Sequence, residues 1–419
     1  MRCIIVGDSP TVATGFSRCV KSAADALHGA GHETHILGMS YFGDPTPEFP
    51  YTIWPCIQPL DKSKEPMGTG RLPLLIDRLK PDVVVLCNDP WNVKGYFDVL
   101  DSYFKDVEHL IPPIVGWLAV DSTNQYAKPL NRLAHLAVWT KFAGKELVRG
   151  GYGGDYSIVP LGVDPHFYPR DKAESRRKIG LDEDAYVVGM VGRNQTRKRL
   201  DAALEYFAKW VRDYGLPPSV QMLMHTAPTG DAGCNIRAVA HYYGLRDNGR
   251  LALSEPNVGK GVEDELLPYL YSAMDCYLLT SQAEGWSLTT HEAMACGVPC
   301  VVPDFAATGE DGWVGDAAIR VPCTSHALTA PMNAQPYTIG AIPDRELTIS
   351  ALNRLYASTQ LRDTYRVRGL KLAQEFTWER TGRAMVKLLE RVVRERKQGV
   401  NASAIANEAE SVESLTVAD

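Results

Sequence analysis

Two glutamates, Glu284 and Glu292, bracket a segment that suits a ligand carrying both an anion and hydroxyl groups. An apolar run that predicts a buried strand precedes Glu284, and Glu292 lies in the first turns of a predicted helix that ends at Gly297. Backbone N–H groups at a helix N-terminus bind anions, and carboxylates accept hydrogen bonds from vicinal hydroxyls. A second interpretation stays open. Thr289 and Glu292 have the spacing of a capping box, in which Glu292 would serve the helix alone and Glu284 would be exposed.

Four cations lie together in residues 193–199, between a predicted strand at 187–191 and a predicted helix. Positive charge at a helix N-terminus is unfavourable by about 0.3–1 kcal/mol per group, so a bound anion should offset it. A diphosphate would do so, with Arg193 offering a planar fork and Lys198 a point charge. The alternative is a solvated charge run partly paired with Asp201.

Short β-branched runs alternate with helical-period segments along the whole chain, which is typical of parallel sheets built from βαβ units. We predict strands at 3–6, 34–37, 83–86, 114–120 and 136–140 in the first half, and at 187–191, 220–225, 251–254, 276–280 and 300–303 in the second. The fold class is therefore α/β, with two Rossmann-like domains facing across a cleft. Ligands of such folds bind outside the carboxyl ends of the strands, so the chemistry should lie in that cleft.

The predicted domain boundary lies where a Pro/Gly-rich strand exit at 158–165 meets a charged stretch at 170–178. This divides the chain into an N-terminal Rossmann-like domain and a C-terminal one, followed by a helix that can cross back to the N-terminal domain. The last residues are small, polar and acidic, which predicts a disordered tail. The four predicted segments are 1–168, 169–380, 381–400 and 401–419.

The composition is that of an ordinary globular protein: 419 residues, 45% hydrophobic and 22% charged, too long for one core. The net charge of −6 argues against a broad surface for polyanions. Nine cysteines without a Cys-x-x-Cys pair indicate reduced thiols. The sequence offers neither a long apolar span nor a signal peptide at its start, so we expect a cytoplasmic protein without a transmembrane segment.

Together these motifs resemble the retaining glycosyltransferases of the GT-B fold, specifically family 4, of the glycosyl transferases group 1 type. The most specific match is the segment from Glu284 to Pro299 with its Glu-Ala-Met-Ala-Cys-Gly-Val-Pro ending. The pair Arg193 and Lys198, the boundary at 160–169 and the approach at 270–276 support it in the same order along the chain. The resemblance implies an acceptor domain at 1–168 and a nucleotide-sugar donor domain at 169–380.

The resemblance also implies roles for individual residues. Glu284 would accept hydrogen bonds from hydroxyls of the transferred sugar, and Glu292 from the ribose. Arg193 and Lys198 would neutralise the departing diphosphate. The loop at Gly15 would close over the donor, and the amides around Trp286, Ser287 and Leu288 would support the diphosphate. No cofactor is implied beyond the donor, a nucleoside diphosphate sugar with UDP or GDP favoured. No metal is implied either, because the acidic run at 182–184 is a solvated turn.

Three positions depart from the family pattern or are less specific. Asp121 ends a strand where relatives usually carry a histidine; it could contact a hydroxyl, act as a base, or only cap the next segment. Ser287 stands where a second glycine is usual. His225 ends another strand and should face the nucleotide, although a lone histidine is more often structural.

The function implied is transfer of a hexose to an acceptor hydroxyl on a saccharide, a lipid-linked molecule or a small molecule. One alternative is glycosylation of hydroxymethylated bases in viral DNA. The basic residues Lys62, Lys64, Arg71, Arg78 and Lys80 could line a groove for DNA or touch an anionic membrane, although a solvated face fits them better. A sugar-nucleotide epimerase or phosphorylase of the same fold, or a sensor without turnover, are further alternatives. The sequence predicts no oligomeric state.

Overall fold

The computed structural model describes residues 1–43, 48–57, 65–229, 232–246, 248–255, 265–329 and 337–416, with side chains to residue 399. The strands are β1 (Arg2–Asp8), β2 (Glu33–Met39), β3 (Thr52–Pro55), β4 (Val83–Asn88), β5 (Ile114–Leu118), β6 (His135–Val138), β7 (Tyr156–Ile158), β8 (Tyr186–Val191), β9 (Val220–His225), β10 (Leu251–Ser254), β11 (Cys276–Leu278), β12 (Cys300–Pro303), β13 (Ile319–Val321), β14 (Cys323–Leu328) and β15 (Ile339–Pro343). The helices are α1 (Gly15–Gly29), α2 (Leu72–Leu79), α3 (Val93–Tyr103), α4 (Lys141–Arg149), α5 (Lys172–Lys178), α6 (Leu200–Asp213), α7 (Ile236–Tyr242), α8 (Leu267–Ser272), α9 (Leu288–Ala295), α10 (Arg345–Ala357), α11 (Thr359–Ala373) and α12 (Trp378–Thr416).

Two parallel sheets organise the molecule. The N-terminal sheet has the order β3-β2-β1-β4-β5-β6-β7, and the C-terminal sheet has the order β10-β9-β8-β11-β12-β13. The central strands are buried on both faces and read as continuous apolar runs, as parallel strands covered by helices on both sides do. The prediction of two Rossmann-like α/β domains is confirmed.

Helix α1 shows how the sequence sets the position of the loop at Gly15. Thr14 caps the helix, its side-chain oxygen accepting from the Ser17 N–H at 3.0 Å. One helix face carries apolar residues such as Val20 and Leu27, both buried against the sheet. Lys21, the next residue after Val20, is exposed. The cap fixes where α1 starts, and therefore where Gly15 stands relative to the end of β1.

The chain crosses twice between the domains, and the two crossings lie side by side. The Val163 N–H donates to the Phe376 carbonyl at 3.3 Å, and Gly162 lies so near Trp378 that a Cβ atom would come within 2.1 Å of its backbone nitrogen. After the second crossing α12 packs on α1, where a Cβ at Gly382 would lie 2.5 Å from the Ala26 Cβ. The last helix thus lies against the N-terminal domain.

Helix α12 continues to Thr416, whereas the sequence predicted a disordered tail at 401–419. Alanines and glutamates are good helix formers, so the small acidic residues do not interrupt the helix backbone. Residues 417–419 lie outside the described part of the chain.

A two-stranded antiparallel hairpin, β14 paired with β15, was not predicted. It follows β13 and precedes α10 and α11, which were not predicted either. The residues of β14 are mostly exposed, so the strand lacks the apolar run used to recognise the other strands. None of the helices described is long and apolar enough to cross a membrane.

Candidate active site

The loop between β11 and α9 carries Glu284, and the loop between β8 and α6 carries Lys198. Both loops follow the carboxyl ends of neighbouring strands, so they meet at one edge of the C-terminal sheet. The Lys198 ammonium donates a hydrogen bond to Glu284 Oε1. The side chains are 14% and 8% exposed, respectively, so this is a largely buried ion pair.

Burial and charge act in opposite directions on this pair. Burial would raise the pKa of Glu284, but Lys198 and Arg197 outweigh burial and leave that pKa below its usual value. Burial lowers the pKa of Lys198 despite the attraction of Glu284. Glu284 is therefore ionised at neutral pH and able to accept hydrogen bonds from a ligand.

Arg197 links the two domains at the same point. Its guanidinium donates to the Ala283 carbonyl at 2.7 Å and lies 3.7 Å from Glu284 Oε2. Its Nε is 3.9 Å from Oδ2 of Asp121, which follows β5 in the N-terminal domain. The Ser122 hydroxyl donates to the other oxygen of Asp121 at 2.7 Å. The structure thus brings Asp121 and Glu284 within 4 Å of one guanidinium.

Glu292 is held from both domains. Arg18 Nη1, on α1, lies 2.5 Å from Glu292 Oε1, and the Tyr271 hydroxyl donates to Oε2 at 2.6 Å. The capping-box interpretation is wrong, because Glu292 has these two partners and Thr289 Oγ1 instead accepts from the Tyr277 hydroxyl. Burial raises the pKa of Glu292, an effect that Arg18 opposes.

The start of α9 closely approaches the N-terminal domain. Ser287 adopts a left-handed backbone with φ of 67°, which explains why a glycine would suit this position. The Leu288 side chain lies 3.2 Å from where a Cβ of Gly15 would stand, so the Gly15 loop lies against the start of α9. The Trp286 side chain is buried and stacks on Trp313 with ring centroids 4.8 Å apart, which leaves only its backbone for a ligand.

Arg193 and His225 lie at the neighbouring strand ends. Arg193 is exposed in the loop after β8, and its charge lowers the pKa of Asp8, which burial raises overall. The Gly192 N–H donates to the His225 carbonyl at 3.1 Å, which places His225 beside this loop. The His225 ring exchanges a 3.0 Å hydrogen bond with the Ser254 hydroxyl, and burial lowers its pKa to about 4, so the ring is neutral.

Some residues of the site were not predicted. Asp8 ends β1 and Asp89 follows β4, so together with Asp121 they place three carboxylates at the carboxyl ends of adjacent strands of the N-terminal sheet. The pKa of Asp89 is raised to about 7 by burial and by the charge of Asp121, against the attraction of Arg197. Arg18 was also missed, although its position just after the Gly15 loop could have indicated it. The part of the basic stretch at Lys62 and Lys64 lies outside the described residues.

The cations, the buried glutamates and the start of α9 all lie at one edge of the C-terminal sheet. A comparison with known protein families matches this part of the chain. Residues 171–317 match the family Glycosyl transferases group 1. This segment begins just before α5 and contains Lys198, Glu284 and Glu292.

Similar proteins extend the comparison to the rest of the chain. D-inositol 3-phosphate glycosyltransferase of Geodermatophilus obscurus is 30% identical over 275 residues, which cover 56% of this chain and 58% of that protein. Matches to further proteins of that name likewise span about half of their length. Sucrose-phosphate synthase from Thermosynechococcus elongatus superposes with a TM-score of 0.69 at 17% identity, covering 94% of this chain and 99% of that one. Anabaena HepE in complex with UDP and glucose gives 0.65 at 14% identity, covering 93% and 99%. The fold is the GT-B fold that the group 1 resemblance implied.

Proposed function

We propose that this protein is a retaining glycosyltransferase of family 4 that moves a hexose from a nucleoside diphosphate sugar to an acceptor hydroxyl. The observation that carries the proposal is the convergence of Lys198, Glu284 and Glu292 at the carboxyl edge of the C-terminal sheet, opposite Asp121. The match of this same region to the group 1 glycosyl transferases supports it. The names of the similar proteins favour a UDP-sugar as the first donor to test, with a GDP-sugar next.

The donor would lie along the C-terminal loops. Lys198 has three N–H donors and gives one to Glu284, so the others can bind the diphosphate. Arg193 and the first N–H groups of α9 around Leu288 would add to this binding, since the first N–H groups of a helix have no partner within it. Glu284 would orient the sugar through its hydroxyls, and Glu292 would bind the ribose with lone pairs that Arg18 and Tyr271 leave open.

The reaction would proceed by attack on the same face of the sugar that the diphosphate leaves. The bond between the anomeric carbon and the phosphate oxygen breaks, and a bond to the acceptor oxygen forms. The acceptor proton passes to the departing phosphate oxygen, and Asp121 would hold the acceptor hydroxyl. Lys198 and Arg193 stabilise negative charge that is largest late in the reaction, the kind of preorganised stabilisation that lowers a barrier most. No metal ion and no further cofactor is part of this proposal.

The test is a thermal-shift screen of UDP-, GDP- and ADP-sugars, followed by mass spectrometry of acceptor mixtures incubated with the best donor. Saturation about a hundredfold above Kd should stabilise the protein by about 2.7 kcal/mol. Saccharides and lipid-linked acceptors should gain a hexose with retained anomeric configuration. An epimerised sugar from donor alone, or binding without any transfer, would contradict the proposal. Transfer to hydroxymethylated DNA, with binding that weakens steeply with salt, would change the acceptor class.

Variants of the two buried charges test the site, with kcat measured at a temperature where thermal melting shows each variant to be folded. Lys198→Met and Glu284→Gln should each lower kcat by roughly a hundredfold or more, in line with the loss of one charge-stabilising group. Lys209→Met and Glu379→Gln are the controls, because both residues form ion pairs on helix surfaces away from the cleft. Equal activity in variants and controls would show that the cleft is not the reaction site.

A further inference from the structure

The hairpin of β14 and β15 lies outside the segment that matches the family, and it touches both domains. Residues 323–329 and 337–343 of the hairpin are described. Ile339 and Ala341 are alternate residues of β15, and their N–H groups bond to partners outside the hairpin. Alternate residues of an antiparallel strand present their N–H and C=O groups to the same side, so one edge of β15 is available to other segments.

The first partner of this edge is in the N-terminal domain. The Thr123 N–H donates to the Ile339 carbonyl at 2.9 Å, and the Ile339 N–H donates to the Thr123 carbonyl at 3.1 Å. The Thr123 hydroxyl adds a bond of 3.0 Å to the same Ile339 carbonyl. Next to it, the Asn124 side-chain amide donates to the Tyr337 carbonyl at 2.7 Å. Thr123 is two residues from Asp121, so this short ladder fixes the loop on which Asp121 stands.

The second partner is the donor-side loop. The Ala341 N–H donates to the Gln282 carbonyl at 2.9 Å, and the Gln282 N–H donates to the Arg197 carbonyl at 2.8 Å. Gly340 permits this approach, because a Cβ there would stand 2.6 Å from the Gln282 carbonyl oxygen. Gln282 is two residues from Glu284. The strand therefore makes backbone hydrogen bonds to both loops that carry the facing carboxylates.

We propose that β15 is a positioning strand that sets the distance between the Asp121 loop and the Glu284 loop, and that couples ligand binding at one loop to order in the other. The inference rests on the proposed function for its meaning, because Glu284 is there the donor-side residue and Asp121 the acceptor-side residue. Backbone hydrogen bonds define a separation more rigidly than the 3.9 Å contact of Arg197 with Asp121 does. An acceptor hydroxyl must then fit the gap that β15 sets.

Two variants remove the two ends of this connection. Gly340→Ala pushes β15 away from Gln282. Asn124→Gly removes the amide that bonds to Tyr337 and keeps the backbone relaxed, because Asn124 has a positive φ of 63° that glycine adopts freely. Gly70→Ala is the matched control, since a Cβ at Gly70 meets no atom within 4 Å.

The experiment is hydrogen exchange on the full chain, with and without UDP as the probe. Without UDP, the Thr123 amide should exchange at least tenfold faster in both variants than in the wild type and in Gly70→Ala. When UDP is added, amide exchange of residues 121–126 should slow in the wild type and in Gly70→Ala, but not in the two variants. Exchange of residues 284–292 should slow with UDP in all four proteins. A purely structural hairpin would change stability without uncoupling these two segments.

The outcomes distinguish the two proposals. If UDP changes amide exchange nowhere in the wild type, UDP is the wrong nucleotide for the proposed function. The positioning role of β15 is then tested by Thr123 amide exchange in the variants without UDP. Unchanged Thr123 exchange in Asn124→Gly, the milder variant, would overturn the inference even if Gly340→Ala failed to fold. A UDP response in 121–126 that survives in the variants would also overturn it.

Discussion

Replacing Arg18 by methionine tests whether the N-terminal domain holds the buried carboxylate of Glu292. Methionine keeps most of the length of the side chain and removes the charge. The Glu292 side chain is 7% exposed and Arg18 is 26% exposed, so water can replace the guanidinium only in part. After the substitution, the hydrogen bond from Tyr271 would remain on Glu292.

The cost follows from this geometry. Removing one partner of a fully buried ion pair destabilises by about 3–5 kcal/mol, and a hydrogen bond to a charged group contributes about 1.5–3 kcal/mol. Because a quarter of Arg18 is exposed, we expect about 2–3 kcal/mol for Arg18→Met. For domains of about 150–250 residues, each kcal/mol lowers Tm by about 2–4 °C, so the loss should be about 4–12 °C.

The pH dependence identifies the cause. Burial already raises the pKa of Glu292, and losing Arg18 should raise it further. A carboxyl whose pKa is raised in the folded state favours folding when protonated, and this contribution is lost as pH rises through the folded pKa. The Tm difference between variant and wild type should therefore be larger near pH 8 than near pH 5.

Calorimetry or fluorescence melting at both pH values measures this, with Lys21→Met as the control. Lys21 lies on the same helix in an exposed pair with Asp25, and losing it should cost at most about 1 kcal/mol. The reasoning is refuted if Arg18→Met has the same Tm as Lys21→Met, or if the difference in Tm between Arg18→Met and the wild type is the same at both pH values.

Three further predictions concern the same cleft. Lys198→Met and Glu284→Gln should each lower the free energy of unfolding by about 3–5 kcal/mol. The double variant should lose at least about 2 kcal/mol less than the sum of the two single losses, because the two side chains interact directly; additive Tm losses would contradict a direct pair. Asp89→Asn should match the wild type near pH 4 and be more stable than it near pH 8, because the wild type loses up to about 1.4 kcal/mol per pH unit between the unfolded carboxyl pKa of about 3.9 and the folded Asp89 pKa of about 7; parallel pH profiles of Tm would refute this. Ser287→Gly should relieve a left-handed backbone that costs about 1 kcal/mol, but it also removes the 2.8 Å hydrogen bond between the Ser287 and Thr290 hydroxyls. Because the two effects oppose each other, Tm should change by no more than a few degrees. A large loss of Tm would show that the hydroxyl matters more than the backbone.

The parts of the fold that follow from local pattern were predictable. The parallel strands are buried on both faces, so their apolar runs are visible in the sequence, as at β4 and β8. Glu284 and Lys198 were also found, because each lies in a loop next to a strand end, and parallel strands bring such ends to one edge. Their direct ion pair was not predicted; the sequence implied only that a ligand would lie near both.

The rest depends on contacts between distant segments. The position of Arg18 just after the Gly15 loop could have placed it near the cleft, but it does not identify Glu292 as its partner, and a capping box explained Glu292 equally well by spacing. The raised pKa of Asp89 arises from burial and from the charge of Asp121, which no local pattern reports. Hairpin strand β14 is mostly exposed, so its sequence resembles that of a loop.

The return of α12 to the first domain also bears on how the protein is made. During synthesis the N-terminal domain leaves the ribosome first, but the partner of α1 is translated last. Until then the side of α1 at Ser22 and Ala26, which contacts Trp378 and Gly382 in the finished protein, faces water. We expect the second domain to complete its folding before the first, so that a chain stopped before residue 378 would have a folded C-terminal domain and an N-terminal domain prone to aggregation.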